Sequence, residues 1–195
     1  MKHYDWKKHM YLVAIPSGEL FEEAVRIQKL LSDSLKIYKE SPPTIHITIS
    51  AVKMLEKEEL GIFDRCVKQV VANFNPIKIE SYCFDCFTKP HNSLILKIED
   101  DERLRQLQNS LEQALDNQGF LVPPSVDKWI FHITILSEIF ASTPLEKDEF
   151  LKVCQRVSLR ETPIRGVIKR LELWKPELEK EKRVVSKYIL DQKPD

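Results

Sequence analysis

The chain has 195 residues, of which 30 are basic and 30 acidic, so its formal net charge is zero. A protein that binds long nucleic acid or an anionic membrane usually carries a strong basic excess, and this balance disfavours both classes. A nucleotide or a short oligonucleotide end, held by a few local groups, remains compatible with it. The composition, 43% hydrophobic and 31% charged, is that of an ordinary soluble globular protein.

No segment predicts export or membrane insertion. The longest apolar run, residues 11–15, is far too short to span a bilayer, and residues 1–9 lack the apolar core of a signal peptide. Four cysteines in a chain of this length do not make the disulfide framework of a small secreted protein. We therefore expect a cytoplasmic protein in a reducing compartment.

The predicted elements begin with a short strand at residues 11–15, which ends at Pro16. Ser17 can then cap a helix, whose apolar stripe is interrupted by Gln28. The other members of that stripe are Phe21, Ala24, Val25, Leu31 and Leu35.

A strand, a helix and two paired strands follow. Residues 44–52 predict the strand. The apolar positions of the next helix are Leu60, Phe63, Val67, Val70 and Phe74. Residues 77–87 and 93–99 predict paired strands, joined by the turn-rich stretch 88–92.

The second half of the chain repeats this plan. Its first helix ends near Gly119 and has an apolar stripe formed by Leu104, Leu107, Leu111 and Leu115. Residues 130–136 predict a strand, and residues 143–146 begin a helix with a capping-box pattern and a proline at the first helical position. Strands at 163–174 and 184–190 close the chain. Helices that alternate with strands in two similar halves predict an α+β protein.

An internal repeat supports the duplication. The tetrapeptide His-Ile-Thr-Ile occurs at residues 46–49 and again at 132–135. Its flanks match in the same order: 55–60 with 145–150, 76–78 with 163–165, and 89–90 with 175–176. Matches that are 86 to 90 residues apart indicate a duplicated unit. We therefore expect a single two-lobed domain over residues 1–195, with repeat units near 17–99 and 102–190.

The repeated tetrapeptide has a polar face and an apolar face. Residues two apart on a strand point to the same side, so His46 shares a face with Thr48, and His132 shares one with Thr134. The isoleucines that alternate with them, together with Phe131, form apolar faces that suit packing against helices. If a pseudo-twofold axis relates the two halves, the two polar faces meet in one cleft.

Two imidazoles and two hydroxyls match the needs of phosphodiester cleavage. Displacement at phosphorus needs a base on the attacking oxygen and an acid on the leaving oxygen, and each proton transfer typically contributes 10²–10⁴-fold. Imidazoles with a pKa near 6.5 supply a neutral and a protonated form at cellular pH. Hydroxyl groups can donate to the non-bridging phosphate oxygens. This chemistry needs no metal, and we predict no metal site.

Other interpretations of these residues are weaker. A histidine on a strand is more often structural, but duplication of the whole His-x-Thr unit favours a functional role. Zinc binding is disfavoured because neither copy has a carboxylate or thiol at ligand spacing. Cys83 and Cys86 are three apart on a predicted strand and face opposite sides, which disfavours a metal or redox pair. The histidines without a repeated counterpart, which we assign to the surface, are His3, His9 and His91.

The paired His-x-Thr motifs resemble those of the 2H phosphoesterase superfamily, in particular its 2′,5′ RNA ligase-like and cyclic phosphodiesterase branch. The first predicted strand and helix also look like those of that family, and the resemblance covers roughly residues 10–190. One departure concerns the second motif, which follows a proline in many members and follows Phe131 here.

This resemblance implies a duplicated two-lobe α+β fold with pseudo-twofold symmetry, antiparallel-rich sheets flanked by helices, and a cleft between the lobes. It implies metal-independent and cofactor-independent action on a 2′,3′-cyclic phosphate or a related 2′-linked phosphodiester, by hydrolysis or the reverse ligation. His46 and His132 would be the general acid–base pair, and Thr48 and Thr134 would hold the phosphate. The resemblance does not say which histidine is the acid.

The expected partner is a nucleotide or an RNA terminus, with no membrane, no stable binding of long nucleic acid and a monomeric state. Two alternatives stay open: a non-catalytic module that binds RNA ends or nucleotides, and a 3′-end RNA exonuclease or cyclase-type transesterase that uses the same dyad. Four aromatic residues are candidates to stack a base, although core packing is favoured for each: Phe87, Trp129, Phe131 and Trp174. The natural substrate and the direction of the reaction also stay open.

Overall fold

Strands and helices alternate along the part of the chain that the computed structural model describes, which is residues 8–38, 42–89, 91–121, 129–143, 146–157, 163–177 and 179–190. The strands are β1 (His9–Ser17), β2 (Ile47–Lys53), β3 (Ile77–Phe87), β4 (Ser93–Ile98), β5 (His132–Ser137), β6 (Arg165–Trp174) and β7 (Val184–Ile189). The helices are α1 (Glu19–Leu35), α2 (Lys57–Val71), α3 (Glu102–Asp116), α4 (Lys147–Val157) and the single turn α5 (Lys180–Arg183). In the described segments, no helix is both long and apolar enough to cross a bilayer.

The strands form two joined lobes, and each pairing between the described strands is antiparallel. Their order is β1-β2-β5-β4-β3-β6-β7, and β1 also pairs with β6. The first lobe contains β2, β1, β6 and β7, and the second contains β5, β4 and β3. The lobes join where β2 pairs with β5 and where β3 pairs with β6. The predicted two-lobe α+β fold with antiparallel sheets is confirmed.

The lobes are not the two halves of the sequence. Strand β1 pairs with β2 and β6, and β4 pairs with β5 and β3. The arrangement is therefore symmetric when β1 corresponds to β4, β2 to β5, and β6 to β3, so each lobe contains strands from both halves. The single domain with repeat units near 17–99 and 102–190 stays a prediction, and the pairing favours units that begin at β1 and β4.

Helix α1 differs from its prediction at its start and on its buried face. The N-cap residue is Gly18, whose φ of 78° lies in the region that glycine adopts without strain. The predicted cap, Ser17, is wrong: β1 extends through this residue, and its hydroxyl donates to the Val167 carbonyl at 2.8 Å. Val25 is 39% exposed, and the buried face consists of Leu20, Ala24, Gln28 and Ser32.

Helix α3 buries its whole predicted stripe, whereas α2 fully buries only Phe63 and Val67 of its stripe and ends before Phe74. In α3 the four leucines are fully buried, and each contributes roughly 1.5–3 kcal/mol through removal from water. Helix α3 packs against α2 and β2, and α1 packs against β1, β5 and β6. Helix α4 begins at Lys147, and the core of its predicted capping box, residues 144–145, lies outside the described residues.

One pair of cysteines is joined, so the expectation that all four are reduced is wrong for this pair. Cys86 at the end of β3 and Cys154 on the buried face of α4 form a disulfide with a Cα–Cα distance of 6.1 Å. Helix α4 packs on β3 and brings together sulfurs that are 68 residues apart, which sequence spacing does not reveal. Cys83 does not pair with Cys86, as expected for residues three apart on a strand.

Candidate active site

The two motifs lie on neighbouring strands and meet at one residue pair. Ile47 is directly opposite Ile133 in the antiparallel β2–β5 pairing, and both side chains are fully buried on the helix side. The residues on either side of this pair point to the other face, so His46 is opposite Thr134 and the second histidine is opposite the first threonine. Such opposed side chains have Cβ atoms about 4.5–5.5 Å apart, and the diagonal between the two histidines is about 7–8 Å.

The strand boundaries differ slightly between the motifs. Strand β2 begins at Ile47, three residues later than predicted, so His46 precedes the strand. His132 is the first residue of β5. The shared face predicted for each His-x-Thr unit nevertheless appears at the cavity described next.

A cavity of about 230 Å³ opens on this polar face. His46, Thr48 and Thr134 contribute to its wall, while His132 does not line it. The charge of His132 still acts on His46, whose pKa it lowers, so the second imidazole lies close to the cavity. Three of the four predicted site residues therefore share one cavity, and the fourth lies beside it.

Each imidazole is oriented by a carbonyl two residues before it. The Nδ1 atom of His46 is 2.7 Å from the Thr44 carbonyl oxygen, and that of His132 is 2.9 Å from the Ile130 carbonyl oxygen. A carbonyl oxygen only accepts, so Nδ1 carries the hydrogen in both rings. The Nε2 atom of each neutral ring therefore keeps its lone pair for a substrate proton.

Burial favours the neutral form of both rings. Burial is the main cause of a pKa of about 4 for His46; the positive charges of His132 and Arg183 also lower it, and the hydrogen bond to Thr44 acts in the opposite direction. Burial also lowers the pKa of His132, and Arg183 is not among the causes of that shift. The first imidazole is thus neutral at neutral pH and available as a base, and an anion bound beside the second imidazole favours its protonation.

An aromatic ring supports each histidine. The Trp174 ring is 4.6 Å from the His46 ring, and the Phe87 ring meets the His132 ring edge-on at 5.4 Å. These aromatic residues end β6 and β3, which are equivalent strands in the symmetric arrangement. Trp174 is 5% exposed and belongs to a small buried cluster, as core packing predicts, and it also forms part of the cavity wall.

The other two aromatic candidates do not face the cavity. Phe131 is buried on the helix side, with the Arg105 guanidinium 4.4 Å from its ring centre, as its place in the alternating pattern predicts. Trp129 donates its Nε1 hydrogen to the Thr48 carbonyl at 3.3 Å. This bond links the segment just before the second motif to the backbone of the first motif.

Two buried glutamines hold the backbone of the motif strands. Gln28 on α1 donates to the Ile135 carbonyl at 3.1 Å, and Gln108 on α3 donates to the Ile49 carbonyl at 2.9 Å. The strand register shifts at both isoleucines, because β1 skips Ile49 and β4 skips Ile135. A skipped residue has a carbonyl outside the regular ladder, and the amide supplies its donor. Each helix therefore fixes the strand of the other half one residue after the motif threonine.

A cation that sequence reasoning missed also lines the cavity. Arg183 on α5 has its Cζ atom 4.1 Å from the Trp174 ring centre and donates from Nη2 to Thr44 Oγ1 at 2.6 Å. Arg183 is 139 residues from Thr44 in the sequence. It belongs to a charged stretch, residues 179–183, that contains no repeat or motif. No sequence signal distinguishes it from its neighbours.

Within the described ranges, no three His, Cys, Asp or Glu side chains are grouped so that they could hold a metal ion. In the same part of the chain, neither motif threonine has a side-chain hydrogen bond to protein, so both hydroxyls can donate to a ligand. The arrangement offers two proton-transfer groups and two hydroxyl donors around one point.

Comparisons with known proteins agree with this geometry. The family model of the 2′-5′ RNA ligase superfamily matches residues 16–179. The fold is similar to that of TT0787 from Thermus thermophilus, with a TM-score of 0.64, 15% identity and coverage of 93% of this chain and 97% of that one. It is similar to Escherichia coli LigT in complex with 3′-AMP, with a TM-score of 0.62, 11% identity and coverage of 95% and 99%.

Kluyveromyces marxianus Usb1 is a more distant structural relative, with a TM-score of 0.51, 9% identity and coverage of 94% and 99%. A comparison with curated protein sequences finds no match. The family match spans most of the chain and contains both His-x-Thr motifs. The chain therefore belongs to the 2′-5′ RNA ligase superfamily, within the 2H phosphoesterases.

Proposed function

We propose that this protein is a metal-independent phosphodiesterase that acts on a 2′,3′-cyclic phosphate, or a related 2′-linked phosphodiester, of a nucleotide or RNA end. The observation that carries the proposal is the opposition of Ile47 and Ile133, because it sets a histidine and a threonine of each motif around one point. Groups on opposite sides of a phosphorus atom are what in-line displacement requires.

His46 is the general base and His132 the general acid in the hydrolytic direction. His46 takes a proton from water at Nε2 while the water oxygen bonds to phosphorus. The bond between phosphorus and one ribose oxygen breaks, and the His132 imidazolium gives its proton to that oxygen. The pKa of His46, about 4, supports the basic role, and the bound phosphate anion favours protonation of His132. The product is a ribose phosphomonoester with a free neighbouring hydroxyl.

Thr48 and Thr134 donate to the non-bridging oxygens of the phosphate. Such donors stabilise the charge that these oxygens gain as the attacking oxygen approaches, and removal of one donor in comparable sites costs about 10²–10³-fold in rate. Both threonines belong to the cavity wall, and each is opposite the histidine of the other motif. Two donors and two proton-transfer groups account for catalysis without a cofactor.

Nucleotides are the first substrates to test. LigT, which shares this fold, was crystallised with 3′-AMP and with phosphate. A 3′-phosphomonoester of this kind is one of the two products that hydrolysis of a 2′,3′-cyclic phosphate can give. The small cavity and the neutral overall charge also favour a short substrate over long RNA.

The experiment measures hydrolysis of nucleoside 2′,3′-cyclic phosphates in the presence of EDTA. We expect turnover by the wild type and a loss of about 10²–10⁴-fold in kcat for either His46→Ala or His132→Ala. The matched control is His91→Ala, which removes a histidine outside the cavity. The double variant should lose little more than either single one, because the two groups act as a unit.

The outcomes separate the alternatives. Tight binding of 3′-AMP without turnover between pH 5 and 8 would favour a non-catalytic binding module. Shortening of an RNA substrate from its 3′ end would favour an exonuclease, because hydrolysis of a terminal cyclic phosphate removes no nucleotide. Unchanged turnover in both histidine variants would overturn the assigned roles.

A further inference from the structure

We propose that Arg183 forms a second anion subsite in the active-site cavity, which binds a substrate phosphate other than the one that reacts. This inference rests on the proposed function and narrows its substrate class. The favoured substrate is a nucleotide or RNA end that carries a further phosphate next to the reactive phosphodiester.

The guanidinium of Arg183 is held in a fixed orientation. Its plane lies against the Trp174 ring, with Cζ 4.1 Å from the ring centre, and Nη2 donates to Thr44 Oγ1 at 2.6 Å. The Arg183 carbonyl accepts a hydrogen bond from the backbone N–H of Lys175 at 2.9 Å, which joins the end of α5 to the residue that follows β6. A guanidinium that is already oriented loses little conformational freedom when it binds a ligand.

Arg183 makes no ion pair with any carboxylate of the described residues, although the charge of Glu172, which is paired with Arg170, acts favourably on it. The Nε atom of Arg183 is buried without a hydrogen-bond partner. The buried carboxylate of Glu172 instead accepts from Trp174 Nε1 at 2.8 Å and from Arg170 Nε at 3.1 Å. Glu177 lies at the cavity wall and is exposed. A half-buried guanidinium whose Nε atom has no hydrogen-bond partner is stabilised when a ligand anion accepts from it.

The position of Arg183 points to a phosphate other than the reacting one. Arg183 binds Thr44, whose carbonyl oxygen is 2.7 Å from Nδ1 of His46, and the Trp174 ring contacts both the guanidinium and the His46 ring. The reacting phosphate meets the other edge of that imidazole, at Nε2. One nucleotide separates consecutive phosphates in RNA, and a 5′-phosphate on the reacting nucleotide is the nearest such group.

The chemistry of the side chain favours phosphate over a carboxylate ligand. A planar guanidinium donates two parallel hydrogen bonds to phosphate oxygens, and these charge-assisted bonds are about twice as strong as neutral ones. Lys175, exposed at the same cavity, adds positive charge next to Arg183. Because the whole chain is neutral, this attraction is local to the cavity.

The test compares adenosine 2′,3′-cyclic phosphate with its 5′-phosphorylated form. For the wild type we expect kcat/KM to be at least about tenfold higher on the 5′-phosphorylated substrate. Arg183→Gln should reduce this preference to about onefold to twofold, and Arg183→Lys, which keeps the charge without the planar fork, should retain part of it. Lys182→Gln removes one charge from the same helix turn at an exposed, ion-paired position and should keep the full preference.

Binding measurements keep the test independent of turnover. We expect adenosine 3′,5′-bisphosphate to bind the wild type about tenfold more tightly than 3′-AMP, and Arg183→Gln to abolish this difference. Equal losses on both substrates in Arg183→Gln would mean that Arg183 contacts the reacting phosphate, and this would overturn the inference. An absent 5′-phosphate preference in the folded wild type would do the same. Absent turnover with a retained binding difference would instead contradict the proposed function alone.

Inorganic phosphate tests whether the Arg183 subsite is separate from the reactive centre. Millimolar phosphate should reduce the 5′-phosphate preference and leave kcat/KM on the unphosphorylated substrate unchanged. Competition with both substrates to the same extent would place the phosphate at the reactive centre and contradict a separate subsite. Thermal melting of both arginine variants checks that each is folded.

Discussion

Gln28 on α1 and Ile135 in β5 are joined by a hydrogen bond across 107 residues of sequence. The same glutamine also donates to the Pro43 carbonyl at 2.9 Å, three residues before the first motif histidine. One buried amide therefore fixes backbone from both motifs. Gln108, on the equivalent helix α3, donates to the Ile49 carbonyl just after the first motif. Arg105 donates both to Gln108 Oε1 and to the Trp129 carbonyl just before the second motif, so these two side chains also link backbone from both motifs.

We predict that Gln28→Leu and Gln108→Leu each lower kcat by about tenfold and leave KM nearly unchanged. The amides position the motif strands and touch no substrate, and their loss leaves carbonyls without donors, which also costs about 1–3 kcal/mol in the free energy of unfolding. Steady-state kinetics and urea unfolding measure the two effects. The matched control is Gln106→Leu, an exposed position on α3 that binds only Glu102. In a His46→Ala background, a further tenfold loss of rate on adding Gln28→Leu would contradict a positioning role.

The pH dependence of kcat/KM should be bell-shaped, with its maximum below pH 6.5. Activity is lost as the pH falls through the pKa of His46, about 4, because the base becomes protonated. It is lost again as the pH rises through the lowered pKa of His132, because the acid loses its proton. A profile from pH 3.5 to 9 measures both limbs.

Arg183→Gln should move the acid limb of that profile upward. The positive charge of Arg183 lowers the pKa of His46, so its removal raises that pKa. The alkaline limb should not move, since Arg183 is not among the causes of the His132 shift. An unchanged acid limb in this variant would contradict the assignment of His46 as the base.

The Cys86–Cys154 disulfide should stabilise the fold. It closes a loop over 68 residues, and a bond of this kind typically contributes about 2–4 kcal/mol. We expect Cys86→Ser, or reduction by dithiothreitol, to lower the free energy of unfolding by this amount. Cys83→Ser serves as the control because its sulfur is not part of the disulfide. Thiol titration of the unfolded protein should find two free thiols without reductant and four with it, and four in both cases would contradict the bond.

Gly166 should tolerate no side chain. A Cβ atom there would lie 2.7 Å from Leu20 Cβ and 3.1 Å from the Ser17 carbonyl oxygen, and neither atom can move without shifting α1 or β1. Gly166→Ala should therefore cost about 1–3 kcal/mol in the free energy of unfolding. Gly61→Ala is the opposite control: it lies within α2 with only Arg65 nearby, and it should stabilise by about 0.5–1 kcal/mol. Thermal unfolding of the two variants gives the comparison.

Most strands and helices, and the chemistry of the two motifs, could be predicted from local patterns alone. Alternation in His-Ile-Thr-Ile is a local property, because successive strand residues point to opposite sides wherever the strand lies. The apolar periodicity of α3 predicted its buried face for the same reason. The duplication then indicated a two-lobe α+β fold, which the structure confirms.

Which groups meet could not be predicted, because the contacts join residues far apart in the chain. The hydrogen bond of Arg183 to Thr44 spans 139 residues, the Cys86–Cys154 bond spans 68, and strands of both halves mix in each lobe. Gln28 illustrates the limit: in the sequence it interrupts an apolar stripe, and in the structure it is buried because two distant carbonyls need a donor. Local patterns fix which way a side chain points, whereas its partner depends on the register of strands far apart in the chain.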